Sequence, residues 1–137
     1  GGRDARLRVC RERLDKAIAK NREGKINFEV RLEQLDAKIA PVKNDIDRIK
    51  KAMAEINPHL GSTEDVELFG KTQTPDELNT LADELLQRHE LLSSQMGAMM
   101  ATKKTYEQAH NVLKKEYETS STQLASLKQM LEQIDIK

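Results

Sequence analysis

The sequence predicts an all-α protein, a long antiparallel helical hairpin or coiled coil with a short helical turn in its connector. Two segments carry apolar residues at seven-residue spacing, as coiled coils do, and a region with proline and glycine separates them. Aromatic residues make up 3% of the 137 residues and charged residues 34%. This composition favours long helices with a thin core over a thick two-layer domain.

The first helix is predicted at residues 3–56. Its core positions are uninterrupted in the distal half, at Phe28, Leu32, Leu35, Ile39, Val42, Ile46, Ile49, Met53 and Ile56. Upstream, the polar residues Arg11, Asn21 and Lys25 occupy positions of the same pattern. Pro41 lies beside the pattern and leaves its phase unchanged, so we expect a kink near Pro41 and not the end of the helix.

The connector is predicted at residues 57–74. Asn57 precedes Pro58, which disfavours helical backbone at Asn57 and ends the first helix. Between Gly61 and Gly70, a serine at position 62 with an aspartate three residues later resembles a weak capping box. We therefore expect one or two short helical turns in that interval.

The second helix is predicted at residues 75–135. Thr74 fits the N-cap, Pro75 the first helical position, and Glu77 the acidic residue that reaches back to the cap. One row of seam residues recurs every seven positions: Leu78, Leu85, Leu92, Met99, Tyr106, Leu113, Ser120, Leu127 and Ile134. The companion row shifts along the helix, which is typical of a helix that meets more than one neighbour.

Antiparallel pairing of the two helices would bring their polar interruptions together. If Ile56 faces Leu78 across the turn, Asn21 and Lys25 lie opposite residues 109–113, and this polar layer fixes the register. The same pattern also allows the helices to splay apart and pair with a second copy. We expect one structural unit, and, because the chain opens on two glycines, a fragment of a longer protein.

Charge is distributed unevenly although the net charge is zero. Residues 1–56 carry 15 basic and 10 acidic side chains, and residues 57–137 carry 8 and 13. Two copies laid antiparallel would pair unlike ends, so we expect salt to weaken their association.

Candidate chemistry is sparse. The segment from Gly70 to Thr72 has the last residues of a phosphate-binding loop but lacks the upstream glycine. His89 and His110 lie six turns apart on one helix, and Cys10 has no activating partner nearby in sequence. We expect Cys10 to be half-buried beside the seam. The sequence thus predicts no catalytic residues, metal, cofactor or enzymatic activity.

The predicted function is a non-enzymatic coiled-coil scaffold or protein–protein interaction module, with a second copy or another helical protein as partner. The form is similar to the antiparallel coiled-coil hairpins of cytoskeletal, tethering and chromosome-organising proteins, a likeness that names no specific function. We expect the partner to contact the broadened stripe of the second helix: Leu92, Met96, Met99, Tyr106, Leu113, Tyr117, Leu124, Leu127 and Leu131.

An alternative is an arm that binds nucleic acid or anionic membrane through its basic N-terminal end, at Arg6, Arg8, Arg11 and Arg13. Acidic residues are interleaved with these arginines and no aromatic residue accompanies them, so nucleic acid is not favoured. No apolar run is long enough for a transmembrane segment. The single cysteine favours a reducing, cytoplasmic location.

Overall fold

The computed structural model describes residues 1–136 and confirms the helical hairpin, since 88% of it is helical. The first helix, α1, spans Gly2–Ile56, and the second, α2, spans Pro75–Ile136. Both helices end within two residues of the bounds that the heptad pattern predicts. The two helices pack against each other and are joined by a short connector.

α1 continues through Pro41, as the unbroken heptad phase predicts. Pro41 itself is exposed, and the seam positions on either side, Ile39 and Val42, are half-buried. A proline inside a helix removes one backbone hydrogen bond, which costs about 3 kcal/mol. Packing of the flanking seam residues offsets that cost, because it holds the chain helical on both sides.

The connector contains a β-hairpin that the sequence pattern did not predict. A single 3₁₀ turn at Asn57–His59 follows α1, and strands β1 (Val66–Leu68) and β2 (Lys71–Gln73) then pair antiparallel. The connector does hold a short helical turn. The prediction of helical turns between residues 61 and 70 is wrong, because β1 occupies that interval.

Local hydrogen bonds and backbone angles explain why this interval is not helical. The Ser62 hydroxyl accepts a hydrogen bond from the Glu64 backbone N–H and donates one to the Glu64 carbonyl, so both backbone groups of Glu64 bond locally and not along a helix. Phe69 and Gly70 both have positive φ, 56° and 71°, which is the signature of a type I′ hairpin turn. An exposed phenylalanine in left-handed backbone is strained by about 1–2 kcal/mol, and the flanking strand pairs hold it there.

α2 begins as its sequence predicts. The Thr74 hydroxyl accepts a hydrogen bond from the Glu77 backbone N–H at 3.1 Å, and the Leu78 N–H donates to the Thr74 carbonyl at 3.0 Å. Pro75 occupies the first helical position, where a missing N–H costs nothing. Thr74 therefore caps the helix and fixes its starting residue.

The contacts group the residues into two compact units. The connector unit comprises Leu35–Thr102, and the terminal unit comprises Gly1–Gln34 with Lys103–Lys137. Among the described residues, the connector unit buries Ile46, Ile49, Ile56 and Leu78, and the terminal unit buries Leu127 and Leu131. Most other seam residues are half-buried. The core is therefore thin in each unit.

Replacing each of two helical glycines by alanine is expected to change the free energy of unfolding in opposite directions. A Cβ on Gly97 would meet nothing within 4 Å, so Gly97→Ala is expected to raise the free energy of unfolding by about 1 kcal/mol through helix propensity. A Cβ on Gly24 would lie 3.1 Å from Leu113 Cδ1. Gly24→Ala therefore gains the same helix propensity but crowds Leu113, and we expect it to lower the free energy of unfolding. Urea unfolding followed by circular dichroism measures both. Equal gains at the two sites would show that Leu113 does not need the glycine.

Candidate functional site

In the terminal unit, polar residues of α1 meet polar residues of α2. The Asn21 side-chain amide donates a hydrogen bond to Glu116 Oε2 at 3.0 Å. His110 Nε2 lies 3.0 Å from Glu29 Oε1, within hydrogen-bond distance. The expected polar layer is present, but Asn21 meets Glu116, three residues beyond the predicted stretch 109–113. This contact is therefore displaced by about one helical turn from its predicted position.

Aromatic and cationic side chains pack beside this polar layer. The rings of Phe28 and Tyr106 are 5.8 Å apart between centroids and tilted by 50°. The Arg31 guanidinium lies 5.5 Å from the Phe28 centroid and 5.9 Å from the Tyr106 centroid, within cation–π range. Lys25 Nζ lies 5.0 Å from the Tyr117 centroid. Lys25, a polar interruption of the heptads, is thus accommodated by covering an aromatic ring.

The side chains of the predicted partner stripe are half-buried or buried. Tyr106 packs on Phe28, Tyr117 lies beneath Lys25, and Leu113 lies against Gly24. Leu127 and Leu131 are buried in the terminal unit. The half-buried members are Leu92, Met96, Met99, Tyr106, Leu113, Tyr117 and Leu124. At least three of these residues contact α1, and their use by a partner stays a prediction.

Two arginines of the basic N-terminal end make contacts within α1. Arg6 Nε donates to the Gly2 carbonyl at 3.2 Å, and Arg8 Nε lies 3.4 Å from the Asp4 carboxylate. Arg11 and Arg13 are exposed. Binding of nucleic acid or membrane by this end also stays a prediction.

The remaining candidates from the sequence are the Cys10 thiol, the segment at Gly70 and the possible metal ligands. Cys10 is exposed, so the expectation that it is half-buried beside the seam is wrong. Gly70 is the second residue of the hairpin turn and is followed by a strand, whereas a phosphate-binding loop is followed by a helix. Within residues 1–136, no group of three His, Cys, Asp or Glu side chains is placed to hold a metal ion.

Sequence reasoning missed the apolar residues that lie outside the seam. The large apolar side chains that remain exposed in the described residues are Val9, Ile26, Val30, Leu60, Phe69, Leu86, Leu91, Met100, Val112 and Met130. Leu91 and Val112 are the most exposed of these, at 60% and 55%. Their separation of 21 residues equals three heptads, and this spacing is the signal that could have identified them.

No family model, curated protein or solved structure matches the chain. Neither of the two long helices, as far as the structure describes them, has a stretch apolar enough to span a bilayer.

Proposed function

We propose that this chain is a non-enzymatic coiled-coil interaction module, which associates with further helices from a second copy or from another helical protein. Self-association is the form that we put first. The module would act as a scaffold element, with its two helices offering their outer surfaces to the partner.

The observation that supports this proposal is the imbalance between buried and exposed apolar side chains. Six apolar side chains are buried in the described residues, whereas ten large ones remain more than 40% exposed. A single pair of helices has one seam, and outer faces that meet only water are normally polar. Exposed apolar residues on both helices favour the burial of those residues by a further helix.

The local geometry of the hairpin supports such a role as well. The Asn21–Glu116 bond joins α1 to α2, and the capped start of α2 and the β-hairpin each order the backbone in their own part of the chain. Fixed side chains lose little conformational entropy on binding, so a pre-ordered surface binds more tightly than a flexible one.

Light scattering coupled to size-exclusion chromatography tests the proposal. We expect a mass of twice 15.6 kDa or more at low salt, falling towards 15.6 kDa as protein is diluted or salt is added. A mass of 15.6 kDa at every concentration and salt level would contradict self-association. In that case the partner of the module would be a different helical protein.

A further inference from the structure

Two stretches of the outer surface of α2 carry almost no charge, although 34% of the chain is charged. In the connector unit, four exposed residues at spacings of three and four share one side of the helix. They are Leu91, Ser94, Ala98 and Ala101, and we call them the Leu91 face.

In the terminal unit, six exposed residues with the same spacing share one side of α2. They are Thr105, Gln108, Val112, Lys115, Thr119 and Thr122, and we call them the Val112 face. Lys115 is its one charged residue. The Thr122 hydroxyl donates to the Glu118 carbonyl at 3.0 Å, so this hydroxyl is satisfied within the helix and has less need of water.

Each face contains one large apolar side chain that the hairpin leaves exposed. Leu91 is 60% exposed and Val112 is 55% exposed, more than any other large apolar residue that the structure describes. A solvated helix surface in a highly charged chain is normally rich in Lys and Glu. The low charge along these two faces favours contact with another helix over contact with water.

The net charges of the two units indicate which partner packs on the two faces. The terminal unit has 16 basic and 11 acidic residues, a net charge of +5, and the connector unit has 7 and 12, a net charge of −5. The Val112 face therefore lies on a positive unit, and the Leu91 face lies on a negative one. Like units repel and unlike units attract, which favours contact between the two different faces. A second copy of the chain carries both.

We propose that the Leu91 face of one copy packs antiparallel against the Val112 face of a second copy, an inference that rests on the proposed self-association. A second copy can supply the partner for either face, because each copy carries one face of each kind. In this pairing, Lys115 of one copy lies beside Glu90 of the other. Leu91 and Val112 of opposite copies lie in neighbouring layers of the interface.

The first test places a charge in each face. Leu91→Lys and Val112→Lys are each expected to raise the dimer dissociation constant on the order of tenfold or more, measured by sedimentation equilibrium at low salt. The matched controls are Asn44→Lys in the connector unit and Asn27→Lys in the terminal unit, which are exposed residues of α1 and lie outside both faces. We expect each control to stay within about threefold of the unmodified chain. Circular dichroism confirms that all four variants fold.

The second test examines the direction of pairing by exchanging charges. Lys115→Glu alone and Glu90→Lys alone are each expected to weaken the dimer, and the double variant to restore it, because the two side chains then pair again across the interface. In a parallel dimer the two residues do not meet, so the double variant would be as weak as the single ones. That result would overturn the antiparallel pairing.

The outcomes separate this inference from the proposed function. A dimer that Leu91→Lys and Val112→Lys leave unchanged would overturn the assignment of the two faces, while self-association would stand. An unmodified chain that is monomeric at low salt would overturn both. Weakening by the two face variants and not by the two controls supports the assignment.

Discussion

Replacement of Leu78 by alanine is expected to lower the free energy of unfolding by about 2–5 kcal/mol. Leu78 is 1% exposed, and so is Ile56, the last residue of α1. Both belong to the connector unit, whose other buried apolar side chains in the described residues are Ile46 and Ile49. Because so few residues form this core, it cannot easily relax around a cavity, and we expect a loss towards the upper end of that range.

Urea unfolding followed by circular dichroism measures the effect of Leu78→Ala. The matched control is Leu86→Ala, two turns further along α2, where the side chain is 45% exposed and its removal is expected to change stability by about 0.5 kcal/mol or less. Equal losses for the two variants would contradict the assignment of Leu78 to the core. A loss below 1 kcal/mol for Leu78→Ala would do the same.

Leu131→Ala, in the terminal unit, is also expected to lower the free energy of unfolding by about 2–5 kcal/mol. Leu131 is 3% exposed, although the sequence marks it as part of a partner stripe. Because this burial is by residues of the same chain, the loss is expected at concentrations where the protein is monomeric. If Leu131 mainly serves a partner, Leu131→Ala instead lowers the association constant and leaves the monomer as stable as before.

The residue before Leu131 provides the control for this comparison. Met130 is 47% exposed, so Met130→Ala is expected to change monomer stability by about 0.5 kcal/mol or less. Thermal unfolding of both variants over a range of protein concentrations separates the two effects, since only loss of association depends on concentration. A concentration-dependent loss for Leu131→Ala would restore this residue to the partner surface.

Both helices could be predicted because their signals are long and repetitive. The heptads extend over many turns, so a single polar residue such as Asn21, or a proline such as Pro41, does not hide them. The start of α2 could be predicted to the residue because Thr74, Pro75 and Glu77 are short-range signals that act through backbone hydrogen bonds of their own turn.

The β-hairpin could not be predicted because its strands have three residues each and its turn lacks the usual residue. A type I′ turn favours asparagine or glycine at both central positions, and here Phe69 takes the first of them. The sequence also misplaced one contact between the helices. An assumed contact of Ile56 with Leu78 placed Asn21 one turn away from Glu116, its actual partner.

The candidate surfaces could be predicted only in part, because periodicity identifies the residues of a seam but not the exposure of the residues outside it. Tyr106 and Leu113 follow the seam pattern, and both contact α1. Leu91 and Val112 follow a second seven-residue spacing on the opposite side of α2. That spacing becomes informative only once the burial of the first seam is known.

The β-hairpin also has a kinetic consequence. Its paired residues, Leu68 and Lys71, are near neighbours in the chain, whereas the Glu29–His110 and Asn21–Glu116 contacts join residues 81 and 95 positions apart. Closing a loop costs more entropy as the loop lengthens, so contacts of low sequence separation form first. We therefore expect the pairing of the two helices to start next to the hairpin and to proceed outward, because each newly formed pair shortens the loop that the next must close. The connector, which contributes little to the core, thereby determines how fast the two ends of the chain find each other.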